Sequence, residues 1–329
     1  MSRRRNEEGV VLIAMLWILS ALAVIALSFS REGFVEVSAA RNARDLSDGY
    51  YIARAGLNAA IYQLIERRLT PRVQQLELPQ EPEPIDLGKV GGTFSDGSYE
   101  VDIQDESGKL NLNMINEEQL RLLLEVTGIQ KPDSDIIVDS VMDWRDADNA
   151  YRLNGAEDEY YQRLPRPYKA KNSRFETVEE LLLVRGVTRE YYYGYAERAP
   201  DESIAYRYGL SRYLTTYSTS NRVNVNYAPL QVLMSVPGMP PDAARFIFER
   251  RQTRPFANIE ELNRELPTSL GSTTLPFLST DQTHIYTLTA FGRREGARAR
   301  RAIRAVVNLD PREKKRHWIM YWNENVPNL

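Results

Sequence analysis

VVLIAMLWILSALAVIALSF, Val10 to Phe29, is a run of twenty residues without a charge. At 1.5 Å rise per residue it makes a helix about 30 Å long, the thickness of a bilayer's hydrocarbon core. Arg3, Arg4 and Arg5 precede it, and Arg31 and Glu32 close it. Arginines ahead of an apolar span hold that end in the cytoplasm, so a retained single-pass anchor is expected, with the rest of the chain on the far side. A cleaved secretory signal has a shorter apolar run, about 7–15 residues, ahead of a small-residue cleavage site. A buried core helix is the remaining alternative.

Helical periodicity continues past the anchor. Leu46, Tyr50, Ala53, Leu57, Ile61 and Leu64 recur at three- and four-residue steps and make one apolar stripe. No proline occurs before Pro71, so Val10 to Leu69 reads as one helix of about 90 Å, half in lipid and half on a soluble domain. The stripe serves either as a surface for a partner helix or as the face packed on the chain's own sheet. Pro71, Pro79, Pro82 and Pro84 then mark a linker.

Beyond the linker, Ser98–Gln104 (SYEVDIQ) alternates apolar and polar residues, as a half-buried strand does. Ile285–Phe291 is strand-like, and Gly292–Gly296 (GRREG) gives a turn. Ile303, Ala305, Val307 and Leu309 form one face of the next strand, and His317–Trp322 (HWIMYW) reads as the last. A long helix laid on an antiparallel sheet is an α+β arrangement. Its expected segments are a leader over 1–9, the membrane half of the helix over 10–30, the amphipathic half and first strands over 31–110, an inserted helical domain over 111–275, and closing strands over 276–329.

The inserted domain contains a diverged repeat. Asn111-Leu112-Asn113 precedes LLLEVTGI (Leu122–Ile129), and Asn224-Val225-Asn226 precedes VLMSVPGM (Val232–Met239). Each copy later offers a similar helix start, FETVEELL (Phe175–Leu182) and FANIEEL (Phe256–Leu262). The apolar-apolar-x-x-Gly-apolar turn resembles helix-hairpin-helix and SAM-like modules, where glycine permits a tight turn between helices. The first copy carries an extra acidic insertion. Asp143, Asp146, Asp148, Asn149, Asn154, Glu157, Asp158 and Glu159 crowd around Gly155. Such like charges repel, and an oxygen-ligated divalent cation relieves the repulsion; calcium takes six to eight oxygens in flexible geometry. The spacing is not that of an EF-hand. A solvated acidic turn with helix-capping aspartates is the other reading.

Composition removes several functional classes. With 329 residues, 43% of them hydrophobic and 26% charged, the chain can bury two or three cores. Zero cysteines exclude disulfides, thiol catalysis and Cys-ligated metals. His284 and His317 are too few for a multi-histidine centre and sit in strand-like surroundings, which disfavours a Ser–His–Asp triad. Phosphate-binding, dinucleotide-binding and hydrolase motifs are absent from the sequence. The chain does not read as an enzyme.

A basic leader ending in Gly9, an apolar helix running into an amphipathic half, GAEDEYY (Gly155–Tyr161), an upstream DWRDAD (Asp143–Asp148), the two Asn-x-Asn copies and an aromatic final strand together resemble the type II secretion K subunits, the GspK family of minor pseudopilins. The resemblance implies the pseudopilin fold, anchorage in the bacterial inner membrane, and cleavage by a prepilin peptidase between Gly9 and Val10. It also implies a place at the pseudopilus tip beside I- and J-like minor pseudopilins, and a role in starting assembly for export of folded proteins. Other pseudopilins carry Glu at the fifth mature position, where this chain has Ala14; the loss suits a subunit with no neighbour above it. For the acidic insertion the resemblance implies calcium, with Asp143, Asp146, Asp148, Asn154, Glu157 and Asp158 as the candidate ligands.

The rival reading is a membrane-anchored helix-hairpin-helix DNA receptor of an uptake system. Arg245, Arg250, Arg251 and Arg254 follow Gly238 closely and could meet phosphates. Against it, the first copy is wrapped in acid, and Pro240 and Pro241 lack amide donors; no nucleic-acid partner is expected. The tyrosine run Tyr191–Tyr195 leaves core, loop packing and partner surface all open.

Overall fold

The structure is a computed structural model, and it describes residues 3–74, 88–198, 204–281, 283–310 and 317–326. Helix α1 spans Arg3–Gln74 without a break. It continues through Pro71, which forfeits one backbone hydrogen bond without ending the helix at once, so the expected linker starts later than Pro71. Pro79, Pro82 and Pro84 lie outside the described residues. The strands β1 (Lys89–Phe94) and β2 (Gly97–Asp105) form a hairpin. The insertion follows: β3 (Leu110–Asn111), α2 (Glu117–Val126), α3 (Asp133–Arg145), α4 (Asp158–Gln162), α5 (Arg189–Tyr193), β4 (Gly194–Arg198), β5 (Ile204–Tyr208), β6 (Leu214–Thr215), β7 (Val223–Asn224), α6 (Leu230–Met234), α7 (Pro241–Arg250), α8 (Ile259–Glu265) and β8 (Leu278–Ser279). The chain then closes the main sheet with β9 (Ile285–Arg294), β10 (Arg301–Asn308) and β11 (Trp318–Asn323).

The main sheet has five antiparallel strands in the order β1-β2-β9-β10-β11. Its neighbours β2 and β9 pair from Gly97↔Arg294 to Asp105↔Tyr286 although the whole insertion separates them in sequence. Alternation explains the packing. Val101, Ile103, Leu288, Ala290, Ile303, Ala305 and Val307 point to one face and bury against Ala53, Leu57, Ala60, Ile61 and Leu64 of α1. The approach is close enough to dictate glycine, since a Cβ on Gly292 would meet the Gly49 carbonyl oxygen at 2.2 Å and the Ala53 nitrogen at 2.3 Å. Arg294 completes the joint with Asp45 at 2.7 Å and Asp48 at 3.5 Å, and the Tyr50 hydroxyl donates to Glu324 at 2.8 Å.

These contacts correct one expectation. Ala53, Leu57, Ile61 and Leu64 are consumed by the chain's own sheet, so they are closed to a partner helix; Tyr50 is half-buried, and Leu46 is 37% exposed. The apolar half of α1 is fully outside the protein core, and it is long and apolar enough to cross a membrane.

The insertion has its own core, from Leu110 to Leu278. It is not purely helical, because β4 and β5 form a hairpin and β3·β6 and β7·β8 form short parallel pairs. Gly49 and Ala53 mark the end of the sheet nearer the membrane half of α1, where Gly292 and Gly97 also lie. The insertion leaves β2 at Asp105 and returns to β9 at Ile285, at the opposite end.

Candidate functional site

Two matching clamps hold the insertion. In the first copy the Asn113 side chain donates to the Phe175 carbonyl at 2.9 Å and accepts from the Phe175 N–H at 2.7 Å, while Arg145 donates to the Leu112 carbonyl at 2.9 Å. In the second copy Asn226 makes the same pair with Phe256 at 2.9 and 2.8 Å, and Arg251 donates to the Val225 carbonyl at 2.7 Å. Asn111 and Asn224 take equivalent places, each accepting from the N–H two residues on and donating to a distant carbonyl, that of Ser218 or Asp281. Gly128 and Gly238 turn at φ +88° and +70°, a region that side chains resist. The sequence repeat is therefore a repeat of backbone-satisfying hydrogen bonds, which a buried irregular segment requires.

The arginines considered for nucleic acid are committed inside the chain. Arg250 pairs with Glu265 at 2.6 Å, Arg254 pairs with Glu261, exposed Arg245 lies 3.7 Å from Asp242, and Arg251 is the half-buried clamp just described. The DNA-receptor alternative finds no support in this arrangement.

The acidic insertion hangs on the first clamp, between the end of α3 and Phe175. Arg152 turns inward and serves several carboxylates: its Nη1 lies 2.8 Å from both Asp143 and Asp146, and its Nε is 3.3 Å from Glu117. Asp143, wholly buried, also accepts from the Arg152 N–H at 3.1 Å. Burial pushes the Asp143 carboxyl up, against the pull of Arg152. Asn154 donates through both its backbone and its side chain to Asp139, each at 3.0 Å. Asp158 accepts from the Ala170 N–H at 2.9 Å.

Asp146, Asp148 and Glu157 converge instead, with one carboxylate oxygen from each lying within 4.8 Å of the others. Glu157 is 3% exposed, and neither of its oxygens has a hydrogen-bond partner among the described residues; one oxygen of Asp146 is likewise buried and unpartnered there. Burial first, then the charges of Asp143, Asp146, Asp148 and Asp158, push Glu157 up to about 7. Buried unpartnered carboxylate oxygens are costly unless something positive meets them. Asn172, at φ 46°, donates to the Asp148 carbonyl at 2.9 Å, and its own side-chain oxygen is buried without a partner among the described residues. The donor set is all oxygen, partly charged and on a loop, which fits a hard cation such as calcium.

Of the six expected ligands, then, Asp146, Asp148 and Glu157 come together, although Asp146 also pairs with Arg152 and Asp148 accepts from the Ala150 N–H; the other three lie outside the group, Asp143 with Arg152, Asn154 with Asp139, and Asp158 with the Ala170 amide. Asn172 carried no signal, because it lies beyond the acidic run. Gly9 and Val10 lie within α1, ahead of the residues whose side chains are described, and Ala14 is exposed on the apolar half.

Residues 104–196, which contain this site and the first clamp, match the family "Type II secretion system (T2SS), protein K". Type II secretion system protein K of Pectobacterium carotovorum is 28% identical over 57% of this chain and 61% of its own length. The Pseudomonas aeruginosa protein K is 25% identical over 82% of this chain and 80% of its own. A chain in the crystal structure of the GspK-GspI-GspJ complex from the enterotoxigenic Escherichia coli type 2 secretion system superposes with a TM-score of 0.60 at 14% identity, covering 86% of this chain and 98% of that one. The chain is thus similar to the GspK proteins of type II secretion along most of its length. The matched 104–196 segment is the one in which Asp146, Asp148 and Glu157 meet. With its long N-terminal helix and antiparallel sheet, the present chain shares the α+β fold of that complex's chain.

Proposed function

We propose that this chain is a minor pseudopilin that caps the tip of a type II secretion pseudopilus and helps start its assembly. The observation that carries this reading is the placement of the insertion. It emerges from the end of the sheet remote from the apolar half of α1, so that a filament built by bundling such helices would have the bulky domain above it. Growth would then proceed only from below. Ala14 supports the same reading, since no carboxylate is offered there to a subunit above. The chain would stand in the inner membrane with its N-terminus cytoplasmic and its folded domain periplasmic, after a prepilin peptidase cuts between Gly9 and Val10. With the stripe residues closed, I- and J-like partners would use the other side of α1, where Tyr51 and Tyr62 are exposed.

Calcium belongs to this proposal. Asp146, Asp148 and Glu157 would hold it, and the ion would supply positive charge to carboxylates that otherwise repel. Arg152 would keep Asp143 from competing and fix the loop's shape.

The test is co-purification of the detergent-solubilised full chain with the I- and J-like minor pseudopilins of its own organism, with duplex DNA assayed in parallel. A stable complex with those subunits is expected. DNA binding that falls steeply with salt, together with no pseudopilin partner, would overturn the proposal.

A further inference from the structure

A cavity of about 330 Å³ lies where the insertion leans on the outer face of the main sheet, the face away from α1. Its charges mostly cancel in pairs: Lys89 with Glu100 at 2.6 Å, Arg212 with Asp102 at 3.1 Å, and Lys109 with Glu106. Arg300 lies over the Phe291 ring at 4.7 Å. What is left is Arg304 from β10 and Glu179 from the insertion. Glu179 accepts from the Tyr321 hydroxyl at 2.7 Å. Arg304 Nε is buried and donates to nothing among the described residues, and the Tyr192 hydroxyl is in the same state on a residue only 1% exposed.

The two orphan groups line the same cavity. Burial chiefly, and Glu179 next, push the Tyr192 phenol up, while the Arg304 charge pulls it down. Tyr192 therefore keeps its proton and offers an O–H to the cavity that Arg304 also lines. Two buried donors, one of them cationic, call for an acceptor that carries negative charge. Phe291, Val306, Leu214 and Tyr217 supply apolar wall around them. Small-molecule sites commonly combine such a wall with a few convergent polar groups.

We propose that this junction cavity binds a small carboxylate with an apolar body, its carboxylate on Arg304 and Tyr192 and its body against Phe291 and Val306. The inference stands independently of the filament proposal, because it uses neither α1 nor the acidic loop. The same chemistry is presented by a free organic acid and by the C-terminal residue of a peptide.

Calorimetric titration of the full chain in detergent separates these. The probes are N-acetyl-leucine and N-acetyl-Ala-Ala-Leu, each beside its C-terminal amide. The acids are expected to bind and the amides not, with Tyr192→Phe and Arg304→Gln each weakening the acids about tenfold or more. Arg298→Gln, outside the cavity lining, should change nothing. Tighter binding of the tripeptide assigns the site to peptide termini, and tighter binding of acetyl-leucine assigns it to free acids. Should the acids fail to bind the unaltered chain, or bind no better than the amides, the cavity is a water-filled joint and the proposal is overturned. Tyr192→Phe keeps the ring, so it carries the test even if Arg304→Gln does not fold.

Discussion

Gly155 sits so close to Asp143 that a Cβ there would meet the carboxylate at 1.8 Å. Gly155→Ala must therefore push Asp143 off Arg152, and the melting temperature of the metal-free chain should fall measurably. Arg152→Ala should destabilise by about 3 kcal/mol in urea titration, since it strands the buried Asp143 carboxylate; partial exposure of Arg152 keeps the figure at the low end. Glu157 gives a pH signature. Its carboxyl is raised from 4.5 to about 7 in the fold, so between those values the folded chain holds a proton that the unfolded chain has lost. Stability without metal should then decline as pH rises through that window and level off above it, by at most about 3 kcal/mol. Glu157→Gln should flatten the decline in melting temperature measured across pH. Little of this was legible in the sequence. The acidic run advertised a charge problem, but nothing in its spacing shows that Arg152 removes Asp143 or that Asn172, far along the loop, donates to the Asp148 carbonyl.

At the scale of elements, periodicity carried most of the information. The buried half of the long helix and strand β2 each have one more deeply buried face, and one-faced burial writes itself into the order of residues, whereas β9 and β10 are covered on both faces and β11 is exposed to half-buried. The paired strands β3·β6 and β7·β8 are two residues long, too short to carry a period. The β4–β5 hairpin hides in a tyrosine run, where Gly194 at φ +94° ends α5 and starts a strand. The clamps were visible as Asn-x-Asn repeats, though not their partners. Asn226→Leu removes both hydrogen bonds to Phe256 and leaves two backbone groups unpaired, so it should cost about 2–4 kcal/mol in a denaturant series. Asn113→Leu should behave alike. Similar losses would make the duplication energetic as well as geometric, whereas a neutral effect at either site would remove that equivalence.

For the whole molecule, metal and membrane processing are the properties to test. Chelator should lower the melting temperature of the chain and calcium restore it, and Asp146→Ala with Glu157→Ala should abolish the response. An unchanged response in that double variant would place the ion elsewhere. Gly9→Ala should leave an untrimmed product when the chain is made with a prepilin peptidase, read as a slower band on a gel. The adjacency of β2 and β9 has a consequence for how the molecule comes into being. Asp105 and Tyr286 are bonded neighbours separated by the entire insertion, so the sheet cannot zip until that long loop has closed on itself, an entropic delay that grows with loop length. During synthesis the helix stripe emerges first, while β9 and β10, which supply most of its cover, follow only after the whole insertion. Until then Ala53, Leu57, Ile61 and Leu64 have only β2 for cover, and the order of emergence makes the nascent chain most adhesive while the insertion is still being made.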